Sequence, residues 1–132
     1  MIVKDIKIRG GLPFIVIQTM DGKDLRMLVD TGAENSVIEK EKLLTNVENG
    51  GQSIGQSGVA IDILKGTLNF TLDDDLEIGS KHHELTIDVK CFRLSAISNG
   101  LGFKIDGILG SDFLRKNNAI INFNEEMLIL NT

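Results

Sequence analysis

Cysteine is nearly absent from this chain. Cys91 stands alone, which excludes an intrachain disulfide framework, and with it a zinc ribbon or an iron–sulfur centre. No apolar run reaches the roughly 18 residues of a membrane-spanning helix. Positive charge is also scarce. Lys and Arg number 14 against 19 Asp and Glu, a formal net charge of -5. A nucleic-acid binder needs a basic footprint to displace counterions, so that class of partner is excluded as the main one. An anionic membrane surface is disfavoured for the same reason. The first residues, Met1-Ile2-Val3-Lys4-Asp5, alternate charged and apolar and do not read as a signal peptide, which makes the cytoplasm the default expectation. Proline occurs once, and the six Phe are the whole aromatic content.

What is present is 42% apolar residues in 132, enough for one core. The expectation is a single domain over residues 1–132. Fourteen glycines separate short apolar runs, a pattern that reads as mostly β. Ile2 to Arg9 alternates imperfectly and ends at Gly10-Gly11. Phe14 to Met20 and Leu25 to Val29 read as a hairpin across Asp21-Gly22. Ser36 and Glu39 have capping-box spacing, which predicts a short helix from Glu39 to Leu44. Residues 45–58 are polar and glycine-rich and read as a flexible loop. Val59–Leu64 and Thr67–Leu72 read as strands with a weak point at Gly66. Asp73-Asp74-Asp75 is a turn. Glu84–Phe92 is a strand with Leu85, Ile87 and Val89 on one face. Ser98-Asn99-Gly100 reads as a loop. Ser111 is placed as the cap of a helix over Asp112–Lys116. Ala119–Phe123 and Met127–Leu130 form a last hairpin. A strand, a glycine turn and a short helix occur twice, at Asp30-Thr31-Gly32-Ala33 and at Asp106-Gly107-Ile108-Leu109-Gly110, which suggests a duplicated template.

The segment Leu28-Val29-Asp30-Thr31-Gly32-Ala33 carries the chemistry. Two apolar strand residues deliver a carboxylate onto a tight turn, Thr31 can hydrogen-bond there, and Gly32 lets backbone N–H groups approach the acid. A carboxylate at the end of a buried strand is costly unless it is hydrogen-bonded or shares a proton. Taken alone, Asp-Thr-Gly is also a plain turn, since all three are turn residues.

The longer stretch, through Glu34-Asn35-Ser36-Val37-Ile38, resembles the active-site segment of the retropepsin-like aspartic proteases. Ile105-Asp106-Gly107-Ile108-Leu109-Gly110-Ser111-Asp112-Phe113-Leu114 resembles that family's apolar-apolar-Gly element and following helix, and Asn118 to Phe123 its closing strand. The order and spacing of these elements fit the family, while the residues between them resemble it weakly. The cellular and bacterial members, including the DNA-damage-inducible type, are the nearer pattern.

The resemblance implies a mostly β, closed acid-protease barrel with one or two short helices. It implies an aspartic endopeptidase in which Asp30 is catalytic, Thr31, Gly32 and Ala33 shape its loop, and Ile108, Leu109 and Gly110 pack beneath. Such hydrolysis needs two carboxylates that share a proton. This chain supplies one Asp-Thr-Gly. Asp106 and Asp112 are poor substitutes, because one precedes a glycine turn and the other sits where a helix dipole favours an acid anyway. A homodimer with Asp30 and its twin on the two-fold follows. The substrate implied is an extended polypeptide, held under a flap whose candidate is Ile54, Gly55, Gly58 and Val59. The alternatives are a catalytically silent peptide-binding or dimerisation module on the same fold, and a small barrel in which Asp30 only caps a turn.

No cofactor and no metal is expected. His82 and His83 are adjacent, lack a spaced partner and are placed on a turn. Asp73-Asp74-Asp75 with Glu77 lacks the Gly and terminal Glu of a calcium loop and reads as a solvated turn. The glycines at 51, 55 and 58 do not form a phosphate loop. Cys91 reads as a small core residue. Met127 to Leu130 reads either as a core strand or as part of a dimer sheet.

Overall fold

The computed structural model describes residues 1–39, 47–54, 60–76 and 81–132. In chain order the elements are β1 (Ile2–Asp5), β2 (Lys7–Arg9), β3 (Leu12–Thr19), β4 (Asp24–Val29), β5 (Val37–Glu39), β6 (Val47–Ile54), β7 (Ala60–Asp73), β8 (His82–Phe92), α1 (Ser95–Leu101), β9 (Gly107–Leu109), α2 (Ser111–Lys116), β10 (Ile120–Asn122) and β11 (Met127–Leu130).

Six strands, β3-β4-β9-β5-β8-β7, follow one another by hydrogen bonding, and the pairing of Gln18 and Thr19 with Thr71 and Phe70 closes the ring. A closed ring leaves no free edge within itself, which removes the commonest route to edge-to-edge aggregation. Side-chain alternation fills it. Ile15 and Ile17 of β3, Leu25 and Met27 of β4, Leu68, Phe70 and Leu72 of β7, and Ile87 and Val89 of β8 are all buried in one cluster. Each contributes about 1.5–3 kcal/mol relative to exposure. Phe113 of α2 joins them, its ring centroid 6.1 Å from that of Phe70.

A second sheet, β1-β11-β10, seals the barrel with Ile2, Leu128 and Leu130 in the same cluster. β11 is its middle strand, bonded on both edges, so the apolar C-terminus is a core strand. The acidic turn after β7 docks against this sheet. Asp74 is buried, the Asp75 N–H donates to the Val3 carbonyl, and the Asp75 carboxylate accepts from the Asp5 N–H and lies 3.4 Å from Lys4 Nζ. The expectation of a merely solvated turn is corrected by these contacts.

Other local readings also change. No helix begins at Glu39: residues 37–39 form β5, because Ile38 and Val37 complete ladders with β8 and β9. Residues 40–46 lie outside the described residues. Residues 47–54 are strand β6 despite their polarity, since β7 provides a ladder for them. Gly66 does not divide β7; it is paired with Val47 on one side and Val89 on the other. His82 and His83 open β8 rather than sit on a turn, and His82 Nδ1 meets the Asp73 carboxylate across the hairpin. Ser98-Asn99-Gly100 belongs to α1. Among the described residues, no helix is long and apolar enough to cross a membrane.

The β3–β4 hairpin carries a local electrostatic device. The buried Thr19 hydroxyl donates to the Asp21 carboxylate and accepts from the Lys23 N–H at 3.0 Å. That hydrogen bond from Thr19, with the charge of Lys23 3.8 Å away, holds the Asp21 carboxyl below its ordinary value of 3.8. A lowered acid contributes stability above its unfolded pKa and loses it as pH falls through the folded one. Thr19→Val is expected to move the Asp21 midpoint up to the ordinary range, read by NMR titration of the carboxyl carbon; an unmoved midpoint would contradict the assignment.

Candidate active site

Asp30 leaves the end of β4 where the strand meets β9. β4 and β9 run parallel with Leu28 opposite Ile108 and Val29 opposite Leu109, and β9 pairs on its other edge with β5. The chain therefore leaves β4, loops through residues 30–36 and returns as β5 on the far side of β9. Such a crossing needs small residues beneath the loop. A Cβ built on Gly110 would lie 2.6 Å from the Ala33 carbonyl oxygen and 2.9 Å from the carbonyl group of Asn35. One built on Gly107 would lie 2.6 Å from the Val37 carbonyl oxygen. Real Cβ contacts do not come that close, so glycine is required at both positions.

The Asp30 N–H donates to the Leu109 carbonyl at 3.0 Å, and its carboxylate Oδ1 accepts from the Gly32 N–H at 2.9 Å. The Ala33 N–H donates to the Asp30 carbonyl at 3.2 Å. This is the geometry expected of Asp30, Thr31, Gly32 and Ala33. Asp30 is half-buried, while Thr31 and Gly32 are exposed at the tip. Its base is dry: Val29 and Leu109 sit in the barrel cluster. Leu28 and Ile108, on the opposite face by alternation, enter a second cluster with Phe14, Leu94 and Ile105, against which Ala33 and Val37 pack. Phe103 completes that wall, edge-on to Phe14 at 5.0 Å and under the Arg9 guanidinium at 4.4 Å.

Of the predicted flap, Ile54 ends β6 and pairs with Ala60 of β7, so it stands near the tip of a hairpin. Gly55, Gly58 and Val59 lie outside the described residues. Asp106 is not near a second catalytic role: its carboxylate accepts from the Arg26 N–H at 2.9 Å and fastens the end of the 93–106 segment to β4. Cys91 is buried in the barrel cluster.

Two serines differ from their predicted roles. Ser111 is the first residue of α2, whose N-cap is Gly110 with no side-chain cap; its hydroxyl reaches instead toward the Glu34 carbonyl at 3.5 Å. Ser36 caps no helix. It is fully buried, and its hydroxyl donates to Asp112 at 2.7 Å and accepts from the Gly110 N–H at 2.9 Å. Asp112 does stand in the first turn of α2, with Arg115 and Lys116 in the last, as the helix dipole favours. Its tie to Ser36, 76 residues away, went unread because no local pattern encodes it.

A cavity of about 740 Å³ opens beside α1, lined by Glu39, Arg93, Ser98, Phe103 and Lys104 among others. Asp30 is not part of it. Glu39, its acid, is engaged by the Leu94 N–H at 2.7 Å.

The family model for retroviral aspartyl proteases matches residues 11–122. The chain belongs to the retroviral aspartyl protease family. Its fold is similar to the retroviral protease-like domain of Ddi1 from Leishmania major, at 16% identity over 96% of this chain and 91% of that one, with a TM-score of 0.57. It is similar to a retropepsin-like aspartic protease from Rickettsia conorii, at 20% identity over 98% of this chain and 88% of that one, TM-score 0.54. It is also similar to conglutin gamma, a basic 7S globulin from lupine seeds, at 9% identity over 83% of this chain but only 39% of that one, TM-score 0.54. No curated protein sequence matches the chain. The mostly β, closed retropepsin-like barrel with two short helices agrees with the expectation from sequence.

Proposed function

We propose that residues 1–132 form one retropepsin-like domain that acts as an aspartic endopeptidase, with Asp30 and the Asp30 of a second copy sharing one proton across a two-fold axis. The observation that carries this is the Asp30 loop. A half-buried carboxylate rests on a strand crossing that tolerates no Cβ at Gly110, while Thr31 and Gly32 stand uncovered at its tip. The corresponding corner of the second template, residues 106–112, offers no matching acid, since Asp106 and Asp112 are each tied to backbone elsewhere. Two carboxylates brought within about 3 Å cannot both ionise readily, so one stays protonated. The ionised member takes a proton from water as the oxygen attacks the peptide carbon, and the protonated member gives its proton to the carbonyl oxygen. Collapse of the tetrahedral diol then returns a proton to the leaving nitrogen, breaking the C–N bond. The two titrations belong to the pair. Thr31 of each copy braces the opposite loop, and an extended peptide lies beneath the β6–β7 hairpin, bound as an added strand.

The second copy needs an edge. β11 is bonded on both sides, whereas β10 is the outer strand of its sheet and carries Ile120 exposed, with Phe123 exposed just beyond it. An unpaired strand edge with apolar residues is a template for another strand. Ile120→Glu is expected to weaken self-association at least tenfold, about the effect of losing one interface anchor. The check is the solution mass across a dilution series; a mass that stays that of wild type contradicts the assignment of this edge.

The function is tested with a mixed peptide library at mildly acidic and neutral pH, comparing the wild type with Asp30→Asn. Cleavage that survives the substitution eliminates the aspartic mechanism. A dimer that binds peptides and cleaves none would shift the reading to a silent peptide-binding module.

A further inference from the structure

We infer that Ser36 and Asp112 form a positioning latch that sets the attitude of the Asp30 loop; the inference rests on Asp30 being the acid proposed above. The corner between β9 and α2 holds residues 30–36 at three evenly spaced points. Leu109 takes the N–H of Asp30 at 3.0 Å, Ser111 gives its N–H to the carbonyl of Ala33 at 2.7 Å, and Asp112 takes both donors of Ser36. The last point has the most bonds. The Ser36 N–H reaches Asp112 Oδ2 at 3.0 Å and its hydroxyl reaches Oδ1 at 2.7 Å. The same hydroxyl accepts from the Gly110 N–H at 2.9 Å, and the Ser36 carbonyl accepts from the Lys90 N–H at 3.1 Å.

Hydrogen bonds to an ionised carboxylate are about twice as strong as neutral ones, and a carboxylate that grips two donors of one residue fixes its rotation as well as its distance. The serine is fully buried, so no solvent replaces a lost partner. Asp112 does not act on substrate. It holds the return limb of a loop whose outgoing limb is Asp30, while the tip between them is exposed and has little else to orient it. Alanine at position 36 abolishes the hydroxyl link and frees the Gly110 N–H. Threonine keeps the hydroxyl.

The test uses the full chain with Ser36→Ala, Ser36→Thr, Asp112→Asn and the double variant Ser36→Ala/Asp112→Asn. Ser36→Ala is expected to keep its solution mass and to lower kcat roughly 10–100-fold with KM little changed, as misplacing a reacting group by about an ångström does. Ser36→Thr restores most of the rate. The double variant loses much less than the product of the two single losses, because the residues act as one unit. Independently of activity, amide hydrogen exchange at Gly32 and Ala33 speeds up in Ser36→Ala while Phe70 in the barrel stays protected. A kcat within about twofold of wild type, loop amides exchanging as before, or loop and barrel amides loosening together would each overturn the latch. If the wild type cleaves no peptide, the protease reading fails by itself, and exchange at Gly32 and Ala33 decides the latch.

Discussion

Asp30→Asn is expected to lower kcat by roughly 10³–10⁴-fold, the range over which a positioned acid–base group contributes, while leaving the fold and the dimer intact. The amide is close in size to the carboxylate, and its carbonyl oxygen still accepts from the Gly32 N–H now held at 2.9 Å. The loop therefore keeps its geometry. What is lost is the capacity to take a proton from water, since an amide has no accessible basic form at neutral pH. Unchanged solution mass and melting temperature alongside the rate loss would locate the effect in chemistry. A variant that keeps the wild-type kcat would remove Asp30 from the mechanism.

Gly110→Ala is expected to cost about 3 kcal/mol of stability, the upper end for overpacking a tight site. The atoms in the way are backbone: the Ala33 carbonyl oxygen at 2.6 Å and the Asn35 carbonyl group at 2.9 Å. Neither yields easily, because Ala33 is already bonded to the Ser111 N–H and Ser36 is clamped by Asp112. Relief requires lifting the Asp30 loop off β9, so activity should fall together with stability. The melting temperature should drop on the order of 10 °C for a chain of this size. Gly100→Ala is the control. A Cβ there meets nothing within 4 Å and Gly100 lies in α1, so replacement by a better helix former changes stability by less than about 1 kcal/mol, in the stabilising direction. Equal melting temperatures for Gly110→Ala and the wild type would contradict the packing argument.

The parts of this fold that were legible in the residues are those written in local patterns. Alternation in β3, β4 and β8 and the Asp21-Gly22 turn place the first hairpin and the barrel faces, and Leu28 to Ala33 announces the loop. What could not be read is what distant partners impose. β6 is a polar, glycine-rich strand whose only reason to extend is the ladder offered by β7. α1 has no side-chain cap, no terminal charges and an internal Asn-Gly. It is held by Leu94 and Leu101 in the second cluster, and it ends on Gly102 in the left-handed region. Ser36 and Glu39 mimic a capping box, yet a strand forms because β8 and β9 leave a slot that residues 37–39 fill. The catalytic candidate was visible because its neighbours in sequence make its turn. Its supports, Ser36 and Asp112, were not, because they meet only after the chain has crossed β9.

Subunit mixing tests the shared-proton pair most directly. Wild type and Asp30→Asn are combined in varying ratios, allowed to exchange partners, and assayed on one peptide. If every active centre draws one Asp30 from each of two copies, specific activity per total protein falls as the square of the wild-type fraction. A fall that is strictly linear, or activity that travels with the mass of a single chain, would contradict a centre built from two copies.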